Sequence, residues 1–588
     1  MSYDNPELTI ILNSYNQTSW LREAIESVLS QTVPNSLYEL IIADDCSTNL
    51  STIKIIDEYT KVHTNVRSIM LQTNHGTITR GRNMGIDIAK GKYIAFLDDD
   101  NRRKPNYNEK ILEYFKFHPN THILVCNSES IDHEGKGYSN GPLIPKPIPI
   151  SLDALRKCNY IDSGEIIVRK EVFEWLGGFD EEMSSGEDWD FMLRAAHCIN
   201  VDIIPDVLCQ YRLHSKRRSI LLPNNPNTID EDRAKVSRRI NDYGEKYRIY
   251  LIHPDINKIT QSQQDMLNRL LSVFKDLSYG IQHMHNNIPD PREIYSLRPN
   301  LILIFIPFQI DLKELIVVQK IVKKMEMDGY SITSAMLNIE DPYAFDGANK
   351  KAAQFVEWVA TNEINCMDRY KNLWADRLDR ERIILFPTLS PCNSDNINSY
   401  KRRTDIDVVM VAYGYPDRIE LIQKLGKTKY RILIAGDGWG NSNISNPNCS
   451  IIHRTVSNIE MMGLYKNAKL ILAKRRTSPD KPNTPSRGFI ETFSGTATLL
   501  DNTGDIGRYF SPDKEIVLYD SPEELNRKIL YYLANHEERE QIGHQGRIKS
   551  QKYMLEKRLL RMINNIRCNR KGVGVDVLDN GEKYIYAV

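Results

Sequence analysis

Three adjacent carboxylates, Asp98, Asp99 and Asp100, follow directly on the apolar stretch Tyr93 to Leu97. Like charges crowded in this way are costly unless a cation neutralises them. Hard divalent ions such as Mg²⁺ or Mn²⁺ take oxygen ligands and use one or two carboxylates together with substrate phosphates. The triplet by itself reads either as a solvated acidic turn, the commoner fate of a charge run, or as a metal-diphosphate site. A second acidic group, Glu187, Asp188 and Asp190, opens a segment whose Phe191, Met192, Leu193 and Ala195 belong to a helix. Taken alone, such acids favour the dipole of a helix's first turn, and a carboxylate within hydrogen-bond reach of a hydroxyl can also take its proton as the oxygen attacks. Before the triplet lies the run Asn74 to Lys90, a Gly-bearing loop followed by an Arg-rich helix start.

Such groups act only if strands and helices bring them together. Leu8 to Leu12 reads as a buried strand, and Leu21, Ala24, Ile25, Val28 and Leu29 repeat at helical spacing. Leu40 to Ala43 is a second strand ending at Asp44 and Asp45, Val66 to Leu71 a third, and Tyr93 to Leu97 a fourth. This alternation predicts an α/β domain with a parallel sheet. Acids sit at strand carboxyl ends twice, where open α/β sheets bind their ligands. Residues 228 to 290 are polar and helix-prone, which predicts a helical connector over 226–297. Alternation resumes at Leu301 to Ile306, breaks again between Pro387 and Thr404, and continues with strands at Val408 to Ala412, Arg431 to Ala435, Leu470 to Ala473, Thr498 to Asp501 and Ile516 to Tyr519. The expected organisation is a first domain over 1–225, the connector, two α/β halves over 298–395 and 396–570, and a tail over 571–588.

Composition narrows the function classes. At roughly 150 residues per domain, 588 residues imply several structural units. Lys plus Arg and Asp plus Glu are 77 each, a net charge of zero, which argues against a protein built to track nucleic-acid phosphates. With 41% apolar and 26% charged residues the chain builds ordinary cores and is not disordered by composition. Nine cysteines, none in a Cys-x-x-Cys pair, argue against a disulfide framework and a structural zinc site. The longest nearly pure apolar run, Leu301 to Phe308, is far short of the roughly 20 residues a membrane helix needs. A cytoplasmic location is the expectation.

The first 220 residues resemble the family 2 inverting glycosyltransferases in six motifs that keep their order and spacing: Leu12 to Asn16, Ile42 to Ser47, the GRNMG segment around Arg82, Gly91 to Asp100, Gly178 to Glu181 and Gly186 to Arg194. The resemblance implies a GT-A nucleotide-diphospho-sugar transferase fold. It implies that Ser14, Tyr15 and Asp45 hold the uracil and ribose of the donor, with Arg82 beside the nucleotide. Asp98 and Asp100 match the ends of the family's Asp-x-Asp motif, Asp100 as direct ligand of Mn²⁺ or Mg²⁺ and Asp98 or Asp99 nearer the ribose and sugar. Asp188 matches the general base, with Glu187 as second candidate. His214, in Tyr211-Arg212-Leu213-His214, is a candidate third metal ligand. The adjacent Lys216, Arg217 and Arg218 suit either the diphosphate or an anionic membrane surface.

Residues 300 to 570 resemble glycosyltransferases of the two-Rossmann GT-B fold, in particular the group related to spore-maturation enzymes. The resemblance rests on Asp407 to Arg418, Ile434 to Trp439, Arg487 to Leu500 and Ser521 to Arg547. It implies that Glu491 holds a donor ribose, that Arg487, with Lys474, Arg475 and Arg476 as further candidates, meets the diphosphate, and that Gly436 and Gly438 permit close backbone approach. Relatives carry a second Glu where this chain has Asn483, and no cofactor is expected for this module. The whole chain is expected to be a two-module, bifunctional glycosyltransferase of surface-polysaccharide synthesis, using a nucleotide-diphospho-sugar, UDP-sugar favoured, and a carbohydrate or glycoconjugate acceptor. It is expected to bind no nucleic acid and to associate at most peripherally with a membrane. The alternatives are a catalytic first domain carrying an acceptor-binding platform, and a non-catalytic carbohydrate-binding scaffold. Neither donor sugar, acceptor nor oligomeric state is legible.

Overall fold

Along the strand β1 (Leu8–Ser14) successive side chains go to opposite faces, as the pleat requires. Leu8, Ile10 and Leu12 enter one apolar layer, while Ile11 enters the other with Ile41, Ile94 and Phe96. Both faces are therefore covered, which explains an unbroken apolar run rather than an alternating one. A computed structural model of the chain describes residues 6–137, 146–213, 236, 248–254, 259, 261–276, 280–285, 294, 297–305, 312–328, 330, 332–338, 349–361, 364–374, 382–385, 406–440, 442–475, 488–502 and 506–569. The chain divides chiefly into two units, Met1–Lys246 with Ile563–Lys571, and Tyr247–Met562.

The first unit is built on one mixed sheet. Besides β1 it contains β2 (Tyr38–Asp44), β3 (Val66–Met70), β4 (Tyr93–Asp98), β5 (Arg102–Arg103), β6 (Ile123–Ile131), β7 (Ile166–Arg169) and β8 (Val201–Arg212), in the order β3-β2-β1-β4-β7-β6-β8-β5. β1 to β4 run parallel, whereas β7 is antiparallel to both β4 and β6. The chain leaves β1 toward β2 and β3, then crosses back to place β4 on the other side of β1. That reversal opens a crevice at the carboxyl ends of β1 and β4. Helices α1 (Leu21–Leu29), α2 (Leu50–Val62) and α4 (Tyr107–Phe117) line one face. Helices α3 (Thr79–Ile88), α5 (Leu152–Lys157), α6 (Lys170–Leu176) and α7 (Glu187–Cys198) line the other. In α3, Gly85 lets the helix lie directly on β1, because a Cβ there would stand 2.7 Å from Ile11 Cγ2.

The second unit contains two six-stranded sheets, parallel throughout. One has the order β10-β9-β11-β12-β13-β14, from Arg248–His253 (β9), Gly280–His285 (β10), Leu301–Phe305 (β11), Thr333–Asn338 (β12), Trp358–Thr361 (β13) and Ile383–Leu385 (β14). The other has the order β17-β16-β15-β18-β19-β20, from Ile406–Val411 (β15), Ile432–Ala435 (β16), Cys449–Ile452 (β17), Ala468–Ala473 (β18), Ala497–Asp501 (β19) and Val517–Tyr519 (β20). These are the two Rossmann-like halves expected of this region. The reading of 226–297 as a helical connector is corrected: β9 and β10 fall inside it, and β9 pairs with β11. Only Ile249 to Ile252 is continuously apolar there, and such a short run is outvoted by its polar surroundings in a composition reading. The tail over 571–588 lies outside the described residues. Among the described residues no helix is long and apolar enough to cross a membrane.

Candidate active site

The register of β1 places Asn13 opposite Asp98 on one side and Ser14 opposite Asp44 on the other. Three strand ends thus deliver their polar residues to one crevice, and the acid triplet turns away from β4 there. The Asp99 carboxylate accepts the Tyr15 N–H at 3.2 Å. Burial first and the neighbouring Asp100 second push the Asp99 carboxyl well above the usual carboxylate range. Such crowding is what a hard divalent cation relieves, and one or two of these carboxylates could serve such an ion only together with substrate phosphates. Among the described residues no group of three His, Cys, Asp or Glu is arranged to hold a metal by itself. His214, proposed as third ligand, lies outside the described residues.

Arg82 joins the two acidic clusters. Its side chain is fully buried, donating to Glu187 Oε1 at 2.7 Å, Asp98 Oδ1 at 2.9 Å and Ser163 Oγ at 2.7 Å. The guanidinium lies 5.6 Å from the Phe96 ring centroid and 5.4 Å from that of Phe179. Burial disfavours its charge, but Asp98, Glu187, Asp188 and Asp162 outweigh that penalty and raise its pKa. Glu187 and Asp188 form the first turn of α7, where carboxylates favour the helix dipole. The Asp188 carboxylate accepts from Asn159 Nδ2 at 3.1 Å and from Trp189 N–H at 2.7 Å. Burial, then Glu187 and Asp162, hold the Asp188 carboxyl well above its ordinary range, with Arg82 opposing. Asp162 is pushed up to about 7 by burial and by Asp98.

Asp45 has a different set of neighbours. Its carboxylate receives the His75 N–H at 3.0 Å, the Gly76 N–H at 3.1 Å and His75 Nδ1 at 3.2 Å, and so shapes the Gly-bearing loop at the crevice rim. Ser14 is buried and Tyr15 partly exposed. Asn13, Asn159, Asp162 and Ser163 are members of the constellation that motif reading missed. Asn13 is the most telling. It is 6% exposed, and neither atom of its side-chain amide meets a hydrogen-bond partner among the described residues. Buried amides are normally satisfied, so this one is suited to a bound molecule. Its signal was present inside the Leu12 to Asn16 motif.

In the second unit the implied donor residues sit at the carboxyl edge of the sheet containing β15. Glu491 is buried and accepts the Gly488 N–H at 2.8 Å, capping its own helix. The Lys474 carbonyl accepts from Arg418 Nε at 3.1 Å. Arg475 turns inward and is buried, its Nη2 donating to Asp501 O at 3.1 Å. Gly438 has φ +80°, and a Cβ on it would stand 2.6 Å from the Tyr413 ring. At Gly436 a Cβ would meet Ala412 O. The room left by both glycines is thus taken up by the protein's own chain. Arg487 lies outside the described residues.

Both ends of the chain resemble known glycosyltransferases in sequence. The model of glycosyl transferase family 2 matches residues 9–174, and a glycosyl transferase-like family matches residues 418–564. An uncharacterised glycosyltransferase of Haemophilus influenzae is 31% identical over 217 residues, covering 36% of this chain and 70% of that one. TuaG of Bacillus subtilis, a candidate teichuronic acid biosynthesis glycosyltransferase, is 37% identical over 109 residues, 18% of this chain and 42% of that one. Among solved structures, S. aureus TarS 1-349 in complex with UDP-GlcNAc aligns at 16% identity over 64% of this chain and 89% of that one, with a TM-score of 0.34. The six motifs of the first domain, the crevice they converge on and the Haemophilus relative lead to one conclusion: the chain belongs to the family 2 glycosyltransferases and is a glycosyltransferase.

Proposed function

We propose that the first domain transfers a sugar from a nucleotide-diphospho-sugar, a UDP-sugar being favoured, to a hydroxyl of a carbohydrate or glycoconjugate acceptor with inversion at the anomeric carbon. The observation that carries this reading is the bridge through Arg82 between Asp98, on the donor side, and Glu187, beside Asp188, on the acceptor side. In the proposed step the acceptor oxygen attacks the anomeric carbon and Asp188 takes its proton. The bond to the diphosphate breaks, and its electron pair leaves on the phosphate oxygen. A carboxyl whose proton affinity is raised by burial and like charge is a stronger base than an ordinary Asp, which suits it to this role. Arg82 holds Glu187 and Asp98 apart and in place, while Asp99 fixes the Tyr15 backbone. Mg²⁺ or Mn²⁺ held by Asp98 to Asp100 would supply positive charge against the diphosphate. The test is a screen of nucleotide sugars for nucleoside diphosphate release by the full chain. Release dependent on Asp188 and on acceptor supports the reading, and no release with any donor overturns it.

For the second module two readings stand. The match over residues 418–564 favours a second transferase, which would make the chain bifunctional and keep the product of one site at high effective concentration for the other. The helix-capping use of Glu491 and the buried, inward-turned side chain of Arg475 favour an acceptor-binding platform. A full chain carrying Asp188→Asn separates them, because remaining transfer from any donor belongs to the second module. Assignment to surface-polysaccharide synthesis is supported by the similarity to TuaG.

A further inference from the structure

The loop Gly178–Glu181 contains neither helix nor strand, and a few residues later the chain enters α7 with Glu187 and Asp188. An irregular segment keeps one position only through the bonds that satisfy its backbone and side chains. Three groups of residues supply them here. Asn83, next to Arg82, accepts the Phe179 N–H at 2.8 Å and donates to Phe179 O at 2.8 Å and Glu181 Oε1 at 2.9 Å. Arg194 of α7 donates to Leu176 O and Gly178 O at 2.6 Å each and to Asp190 Oδ2 at 2.9 Å. The third group comes from residues 563–571, which belong to the first unit. Cys568 O accepts the Glu181 N–H at 3.0 Å, and Cys568 Sγ lies 3.4 Å from Gly178 O, 390 positions away in sequence. Asn569 Nδ2 donates to the buried Asp180 carboxylate at 3.1 and 3.3 Å.

We propose that Cys568 and Asn569 are positioning residues for the acid pair Glu187 and Asp188, acting through the Gly178–Glu181 loop. The site of the first domain is thereby completed by a segment from beyond the second module. This rests on the reading of Asp188 as the base. Asn569 touches no reacting group, so its effect falls on the placement of the base rather than on donor binding. Misplacement of about 1 Å by a remote change can cost on the order of 100-fold in rate.

The experiment uses the full chain. Asn569→Asp sets a carboxylate against Asp180, and we expect kcat to fall about 10- to 100-fold with donor KM and UDP affinity within about twofold of the parent. Adding Asp180→Asn exchanges donor and acceptor and restores the pair, so the double variant recovers to within about threefold. Should Asn569→Asp fail to fold, Asn569→Ala is measured in its place, with a kcat at least about threefold lower at unchanged donor KM expected. Unchanged kcat in these variants, or a loss of donor affinity that the double variant does not repair, overturns the proposal. Asp188→Asn is run beside them. Undiminished first-domain turnover in that variant removes the base reading and this proposal with it, whereas loss there with a parental Asn569→Asp removes this proposal alone.

Discussion

Arg82 donates to Glu187 Oε1 at 2.7 Å from a side chain wholly screened from water, tying α3 to the first turn of α7. The same guanidinium reaches Asp98 at the end of β4, so one cation neutralises acids from two distant stretches of chain. Truncating one partner of such a network leaves the others buried and uncompensated. Arg82→Met is expected to destabilise the first domain by about 3–5 kcal/mol, read as an earlier transition in a denaturant melt, and to abolish transfer. Arg82→Lys should recover part of the stability but little of the turnover, because one ammonium cannot span both acids in the guanidinium's geometry.

Removing the base tests the chemistry apart from binding. Asp188→Asn retains an oxygen that can accept from Asn159 and Trp189 but can no longer take a proton. We expect kcat to drop on the order of 100- to 10,000-fold, with UDP affinity by calorimetry changing less than about twofold. Equal loss of nucleotide binding would assign Asp188 to the donor pocket instead.

The pH dependence has a definite sign. The base works ionised, and burial together with Glu187 and Asp162 raises its pKa, so its protonated form persists to higher pH than for an ordinary Asp. Turnover should therefore rise with pH along a limb centred above the usual carboxylate range. Glu187→Gln removes one like charge and strengthens the net pull of Arg82, so the limb should move to lower pH even as kcat falls. A limb unmoved by that change would count against the coupling.

Chelation addresses the acid triplet. We expect a chelator to remove first-domain turnover and Mn²⁺ or Mg²⁺ to restore it. Asp100→Asn should raise the metal concentration needed for half-maximal rate by about tenfold or more. Full activity in chelator would show that the triplet holds no essential cation.

Asp162 links the site to stability. Its carboxyl is raised from an ordinary 3.8 to about 7 by burial and Asp98. A raised folded pKa contributes stability that is complete below the unfolded value and is lost as pH climbs through the folded one. Asp162→Asn keeps an oxygen to cap Gly164 N–H and removes the charge. It should gain about 4 kcal/mol on the parent at pH 8 and little at pH 4, read from melts at the two pH values.

What the chain's sequence determined was local. Each parallel strand read from apolar runs lies within two residues of its place in the fold. The acids at the ends of β2 and β4, and Glu187 and Asp188 at the start of α7, were legible because they punctuate those runs. Period and punctuation are properties of neighbours, and neighbours are what a sequence records. Only the tertiary structure decided that Arg82 should bridge Asp98 and Glu187, that Asn13 should stand buried opposite Asp98, and that the stretch holding β9 should join a sheet. It alone brought Asn569 to Asp180 across 389 positions. Such pairings depend on the order in which strands cross back and on where a distant segment docks, and no local pattern encodes either.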